Sequence, residues 1–182
     1  PQNLIYLVTP ETAEDCEGED FTVTITVNPT PTMNPQSNIE VCNGEEDDVE
    51  INFITTNTGG VTTYDWSAEG PEIGLPDDTA NITDSNVDIT FTASNPDSEP
   101  RVVTITVTPI FTNNGITCTT TEEQTFTITV NPEPQIDNFT QTICEGDAFD
   151  DITPVNVDDG VVPSGTTYTW IIHEDSSDLV IG

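Results

Sequence analysis

The chain of 182 residues carries 34 Asp and Glu against a single Lys or Arg, for a formal net charge of −33. Such a surface repels nucleic acid and anionic lipid, which excludes both as partners. No run of about 18 apolar residues is present, so insertion into a membrane as a helix is not expected. Disorder is not expected either, because the apolar residues are strongly periodic and two Trp are present.

Taken in order, Phe21, Val23, Ile25 and Val27 alternate with Thr, the pattern of a strand with one face on a core. Further strands are expected near 32–42, 50–56, 61–68, 87–93, 101–110 and 123–131, with a weaker one near 79–83. Turn chemistry separates them at Asn43-Gly44, Gly59-Gly60, Asn95-Pro96 and Asn113-Asn114-Gly115. The strand around Tyr64 and Trp66 is expected to bury Trp66, with Tyr64 opposite it across the pleat. Trp170 is expected to be core in the same way. The competing reading for both Trp is an aromatic platform for sugars.

The chain also repeats itself. Val41-Cys42-Asn43-Gly44 returns as Ile143-Cys144-Glu145-Gly146. Thr62-Thr63-Tyr64-Asp65-Trp66 returns as Thr166-Thr167-Tyr168-Thr169-Trp170, and Asn28-Pro29-Thr30-Pro31 as Asn131-Pro132-Glu133-Pro134. Landmarks spaced by about a hundred residues in constant order predict tandem homologous units. Residues 1–29 read as the C-terminal part of a first immunoglobulin-like repeat, 30–132 as a complete one, and 133–182 as the N-terminal half of a third. On this reading the chain is a stretch of something longer. The fold class is all-β, with tandem immunoglobulin-like (PKD-like) sandwiches of about 100 residues. The Pro-x-Pro joints fix φ and remove donors, predicting short, stiff connections.

Each unit carries an early Cys (Cys42, Cys144) and a late one (Cys16, Cys118). The simplest disulfide joins Cys42 to Cys118, leaving Cys16 and Cys144 to partners outside this stretch. Its closed loop would constrain the unfolded chain by about 4 kcal/mol. The alternative crosses the joints, pairing Cys16 with Cys42 and Cys118 with Cys144. No CxxC pair supports a zinc site, and with no Lys in the chain a Lys–Asn isopeptide lock is impossible.

Carboxylates in loops are candidate Ca²⁺ ligands, foremost Glu45, Glu46, Asp47 and Asp48. No DxDxDG loop accompanies them, and no other cofactor is expected. Asn81-Ile82-Thr83 and Asn138-Phe139-Thr140 match the N-glycosylation sequon, and Asp78-Thr79-Ala80 matches a bacterial O-glycosylation pattern at Thr79. The single His173 has no counterpart in the preceding unit, phosphate-cradling Gly loops are absent, and no catalytic residue or enzymatic activity is expected.

The combined pattern of Thr-alternating strand, Asn-Pro-x-Pro, [VI]-C-x-G and T-T-Y-x-W resembles the PKD-like and immunoglobulin-like repeats of Bacteroidota surface proteins, typified by giant SprB-type gliding-motility adhesins. It departs from classical PKD domains after Trp66, where Ser67-Ala68-Glu69-Gly70 stands. The resemblance implies an extracellular, cell-surface location and export by the type IX secretion system. The implied role is a structural stalk segment of a long adhesin or filament supporting adhesion and gliding. Its implied partners are neighbouring repeats, identical chains in a fibre, the secretion machinery, and an extracellular surface or glycan met through other regions. The alternative is a polysaccharide- or protein-binding module of a secreted multidomain protein, acting through loops such as 69–78.

Overall fold

A computed structural model describes residues 1–44, 49–76, 86–144 and 146–171. Among them there are strands and no helices, in the order β1 (Gln2–Val8), β2 (Phe21–Val27), β3 (Ile39–Cys42), β4 (Val49–Ile54), β5 (Val61–Glu69), β6 (Asn86–Phe91), β7 (Arg101–Asn113), β8 (Ile116–Thr119), β9 (Gln124–Asn131), β10 (Gln135–Ile136) and β11 (Gly160–Val161).

The centre of the chain is a β-sandwich. One sheet runs β3-β9-β7-β5 with β8 also on β7; the other is the antiparallel pair β4-β6. Ile51, Phe53, Ile89 and Phe91 of the smaller sheet pack against Ile105, Val107, Phe126 and Ile128 of the larger in one apolar cluster. Period-two alternation supplies these residues, since every second side chain of a strand points the same way. Thr62, Tyr64 and Trp66 therefore share a face, and all three are buried. Expecting Tyr64 on the face opposite Trp66 was an error of parity, because residues two apart in a strand lie on one side.

Two further boundaries differ from expectation. Strand pairing of the first central strand begins at Ile39 rather than near 32; Pro31 and Pro35 lack the N–H that a ladder needs. β7 runs on to Asn113 and turns back into β8 through Asn114 and Gly115, with φ of 47° and 76°. Two consecutive left-handed residues make the tight turn whose twist matches a β-hairpin. The expected weak strand at 79–83 lies outside the described residues.

The hairpin β1-β2 forms a sheet of its own. Its register pairs Val8 with Phe21, Tyr6 with Val23 and Leu4 with Ile25. In the central sandwich Ile105 pairs with Phe126, Val103 with Ile128 and Arg101 with Val130. The two ladders thus place like residues across from each other. At the other end of the chain, β10 and β11 contribute a two-rung ladder, Gln135 with Val161 and Ile136 with Gly160.

Candidate functional site at the two ends of the sandwich

The sandwich has two ends, each closed by an asparagine. At the end facing the hairpin, Asn57 accepts at Oδ1 from the Thr32 amide (2.7 Å) and the Thr55 hydroxyl (3.1 Å), and donates from Nδ2 to the Thr30 carbonyl (3.1 Å). These bonds tie the segment after Pro29 to the exit of β4. Pro31 and Met33 are buried beside them. Asn113, at the tip of β7, donates to the Asn28 side-chain carbonyl at 2.9 Å, which fastens the hairpin to the sandwich.

At the opposite end the hub is Asn95, buried to 1% exposure. Its amide N–H donates to Asn43 Oδ1 (2.6 Å), while its Nδ2 donates to the carbonyls of Val130 (2.8 Å) and Glu99 (2.9 Å). Its Oδ1 accepts from the Asp97 amide at 3.0 Å. Arg101, the one Lys or Arg in the chain, reaches Asp97 at 2.7 Å and the Glu72 carbonyl at 2.6 Å. Asn156 of the following segment donates to Ser98 Oγ at 2.8 Å. Asn43, Asn95, Glu133 and Gln135 are among the residues lining a cleft of about 250 Å³ at this junction.

The disulfide expected between Cys42 and Cys118 is excluded by the ladders. Cys118 faces Phe111 near the hairpin end of β7, whereas Cys42 faces Asn131, one step beyond the Arg101–Val130 rung. From Arg101 to Phe111 the strand advances roughly 33 Å, and a bridge requires Cα atoms within about 7 Å. The joint-crossing alternative is not formed either: no disulfide links Cys16, Cys42, Cys118 and Cys144. Cys118 lies at the end that receives the hairpin, while Cys144 belongs to the segment leaving the other end.

Trp66 lies in the core at 6% exposure, but Trp170 does not, at 74%. It stacks on Tyr168 with ring centroids 6.2 Å apart. No described strand pairs with residues 166–171 and no sheet covers them, so the core environment that encloses Trp66 is missing there. Glu45, Glu46, Asp47, Asp48, Thr79, the sequon at Asn81 and His173 lie outside the described residues. Among the described residues no three His, Cys, Asp or Glu side chains come together as a metal site.

The inner face of β5 carries a polar cost. Thr62 Oγ1, Tyr64 OH and Trp66 Nε1 are buried without a hydrogen-bond partner, each costing about 1–3 kcal/mol. Burial pushes the Tyr64 phenol above its ordinary pKa of 10.0; Thr55 acts in the opposite direction. These atoms face the apolar core rather than an opening. A shallow cleft of about 420 Å³ lies beside loop 70–76, lined by Pro71, Glu72, Ile73, Leu75 and neighbours, without an aromatic side chain.

The asparagine hubs were legible only as turns. Asn95-Pro96 and Asn43-Gly44 marked loops in the sequence, and nothing local revealed that both side chains meet the end of β9.

The family model for a PKD-like domain matches residues 1–31, which hold the hairpin and its joint. No curated protein matches the chain. Among solved structures, it is similar to a nucleoside hydrolase-related hypothetical protein from Saccharophagus degradans that is associated with carbohydrate metabolism. The identity is 10% and the TM-score 0.32, with 59% of this chain and 26% of that one covered. The chain thus spans about a quarter of that relative's length. The match to the family model supports a domain of the PKD and immunoglobulin type, built here as an all-β sandwich.

Proposed function

We propose that this chain is a structural segment of a long, repetitive extracellular shaft, built from tandem sandwiches and bearing tension rather than performing catalysis. The observation that carries the reading is the shared register of β1-β2 and β7-β9, with Phe21, Val23 and Ile25 standing where Phe126, Ile128 and Val130 stand. The sequence landmarks that recur about a hundred residues apart agree with it. The ends of the sandwich agree as well. Chain entry and exit are each held by side-chain amides, so force enters at one end and leaves at the other. Such an arrangement suits a rod whose units contact chiefly their neighbours. The resemblance to Bacteroidota adhesin repeats extends the proposal to a cell-surface stalk exported by the type IX secretion system, serving adhesion and gliding.

Single-molecule stretching of the parent polypeptide tests the shaft. Equal unfolding steps are expected, each releasing roughly 30–35 nm of contour, the extended length of about a hundred residues. A single irregular unfolding trace with no common step would overturn the reading.

The second reading, a polysaccharide- or protein-binding module, rests on the open cleft beside loop 70–76. Glycan-array binding that disappears on Glu72→Ala would favour it over an inert shaft.

A further inference from the structure

The hairpin β1-β2 presents one apolar face from Leu4, Tyr6, Val8, Phe21, Val23 and Ile25, in the register of the bonded pairs. Among the described residues no second sheet covers it, and Leu4, Tyr6 and Phe21 are 48–51% exposed. Inside the sandwich the corresponding ladder of Val103, Ile105, Phe126 and Ile128 is 0–3% exposed. The structure shows what covers that ladder. β3 pairs with β9 on one edge, β5 pairs with β7 on the other, and β4 lies across the face.

The sequence that supplies β3, β4 and β5 recurs near the other end of the chain, where it too lacks a covering layer. Ile143 stands for Val41, and Tyr168 and Trp170 stand for Tyr64 and Trp66. Ile152 and Val155 fall in the stretch that matches β4. In the sandwich the corresponding side chains are buried or partly buried, whereas Ile143, Ile152, Val155, Tyr168 and Trp170 are 38–74% exposed.

We infer that these two surfaces are complementary and that a second copy of this chain occupies the hairpin. The segment containing Ile143, Ile152, Tyr168 and Trp170 of one molecule docks on the Tyr6–Val23 face of the next, completing a sandwich between them. The inference rests on the tandem-unit reading above. Closure within one molecule is disfavoured by placement. The hairpin is fastened through Asn28 to Asn113, and the other segment through Asn156 to Ser98, at opposite ends of a sandwich roughly 30 Å long. A contact between unlike surfaces that does not close on itself propagates into open chains. The composite lacks a counterpart of β6, so it is weaker than the intact sandwich. The charge of −33 on each copy opposes it further. Salt therefore strengthens the association, because screening removes repulsion while apolar burial persists.

Sedimentation velocity on the 182-residue chain, in low and high NaCl across a concentration series, reads the outcome. Wild type is expected to form a ladder of head-to-tail oligomers that grows with protein and with salt. V23D, which places a charge in the acceptor face, and W170D, which places one in the donor segment, should each be monomeric. Mixed together, V23D and W170D should give one-to-one dimers and nothing longer, because a single intact surface survives on each. Monomeric wild type at every salt and concentration overturns the inference. So does oligomerisation that persists in both single variants, which would assign it to another surface. Neither result touches the shaft reading, whose test is the spacing of unfolding steps.

Discussion

Asn95 donates to the main-chain carbonyl of Val130 at 2.8 Å, linking the loop before β7 to the end of β9 where neither residue meets solvent. The same side chain holds Glu99 and Asp97. Removing it leaves buried carbonyls without donors, a cost of about 1–3 kcal/mol each. Asn95→Ala is expected to lower stability by about 2–4 kcal/mol in chemical denaturation. Asn95→Asp separates hydrogen bonding from volume. A carboxylate there would face two carbonyl oxygens, so the folded state favours the protonated form and its pKa rises. The folded protein then binds more protons than the unfolded one, and stability relative to wild type falls as pH climbs above about 4, where an unfolded Asp ionises. A pH-independent deficit would show that Asn95 acts by packing alone.

The two tryptophans report different surroundings. In dilute solution, acrylamide is expected to quench Trp170 readily and Trp66 little, giving a two-component Stern–Volmer plot that becomes linear in Trp170→Phe. In Phe53→Ala, which opens the fully buried contact with Tyr64 at 5.5 Å between ring centroids, stability should fall by about 3–5 kcal/mol. Equal quenching of both tryptophans in wild type would contradict the core described here.

Intact mass measurement of the oxidised monomer tests the cysteine geometry. A bridge between Cys42 and Cys118 would remove two hydrogens and survive dilution. None is expected, because the pair lies roughly 33 Å apart along the sheet. Cys118→Ser is expected to leave thermal stability unchanged within about 2 °C, where loss of a native disulfide would cost about 2–5 kcal/mol.

The contrast between what the residues reveal and what they conceal follows from range. Alternation in Phe126, Ile128 and Val130 exposes a half-buried strand because the signal is local. The parallel pairing of β3 with β9 joins residues such as Ile39 and Ile128, and nothing near Ile39 specifies that partner. The cysteine assignment failed for this reason: spacing along the chain says little about which end of a sheet a residue reaches. Trp170 shows a second limit, since its motif equals that of Trp66 while its burial depends on strands contributed from elsewhere. β8 escaped notice because Ile116–Thr119 is short and mostly exposed.

Charge supplies a further test. With −33 on 182 residues, the folded state suffers self-repulsion that added salt relieves. Thermal midpoints are expected to rise steadily from 10 mM to 500 mM NaCl. Replacing NaCl by CaCl2 at matched ionic strength should add less than about 2 °C, and EDTA should remove nothing further. A larger calcium-specific shift abolished by substituting Glu45, Glu46, Asp47 and Asp48 with their amides would instead assign those carboxylates to a bound ion.

The stiffness of the connections rests on both covalent and hydrogen-bonded restraint. Pro29 and Pro31 each fix φ, Pro31 is buried, and Asn57 holds Thr30 and Thr32 on either side of it. Replacing Pro29 and Pro31 by Gly releases the backbone but leaves the Asn57 bonds; Asn57→Ala does the reverse. If restraint is shared, each variant alone widens the hairpin-to-sandwich distance distribution only modestly, and the combination widens it far more. Double electron–electron resonance between labels on the hairpin and on β7 measures this directly. Labels at surface positions Thr24 and Thr104, both on outward faces, leave the core undisturbed. A distribution equally broad in the parent and the triple variant would mean that the joint is a loose tether, and the rod would then owe its extension to charge repulsion alone.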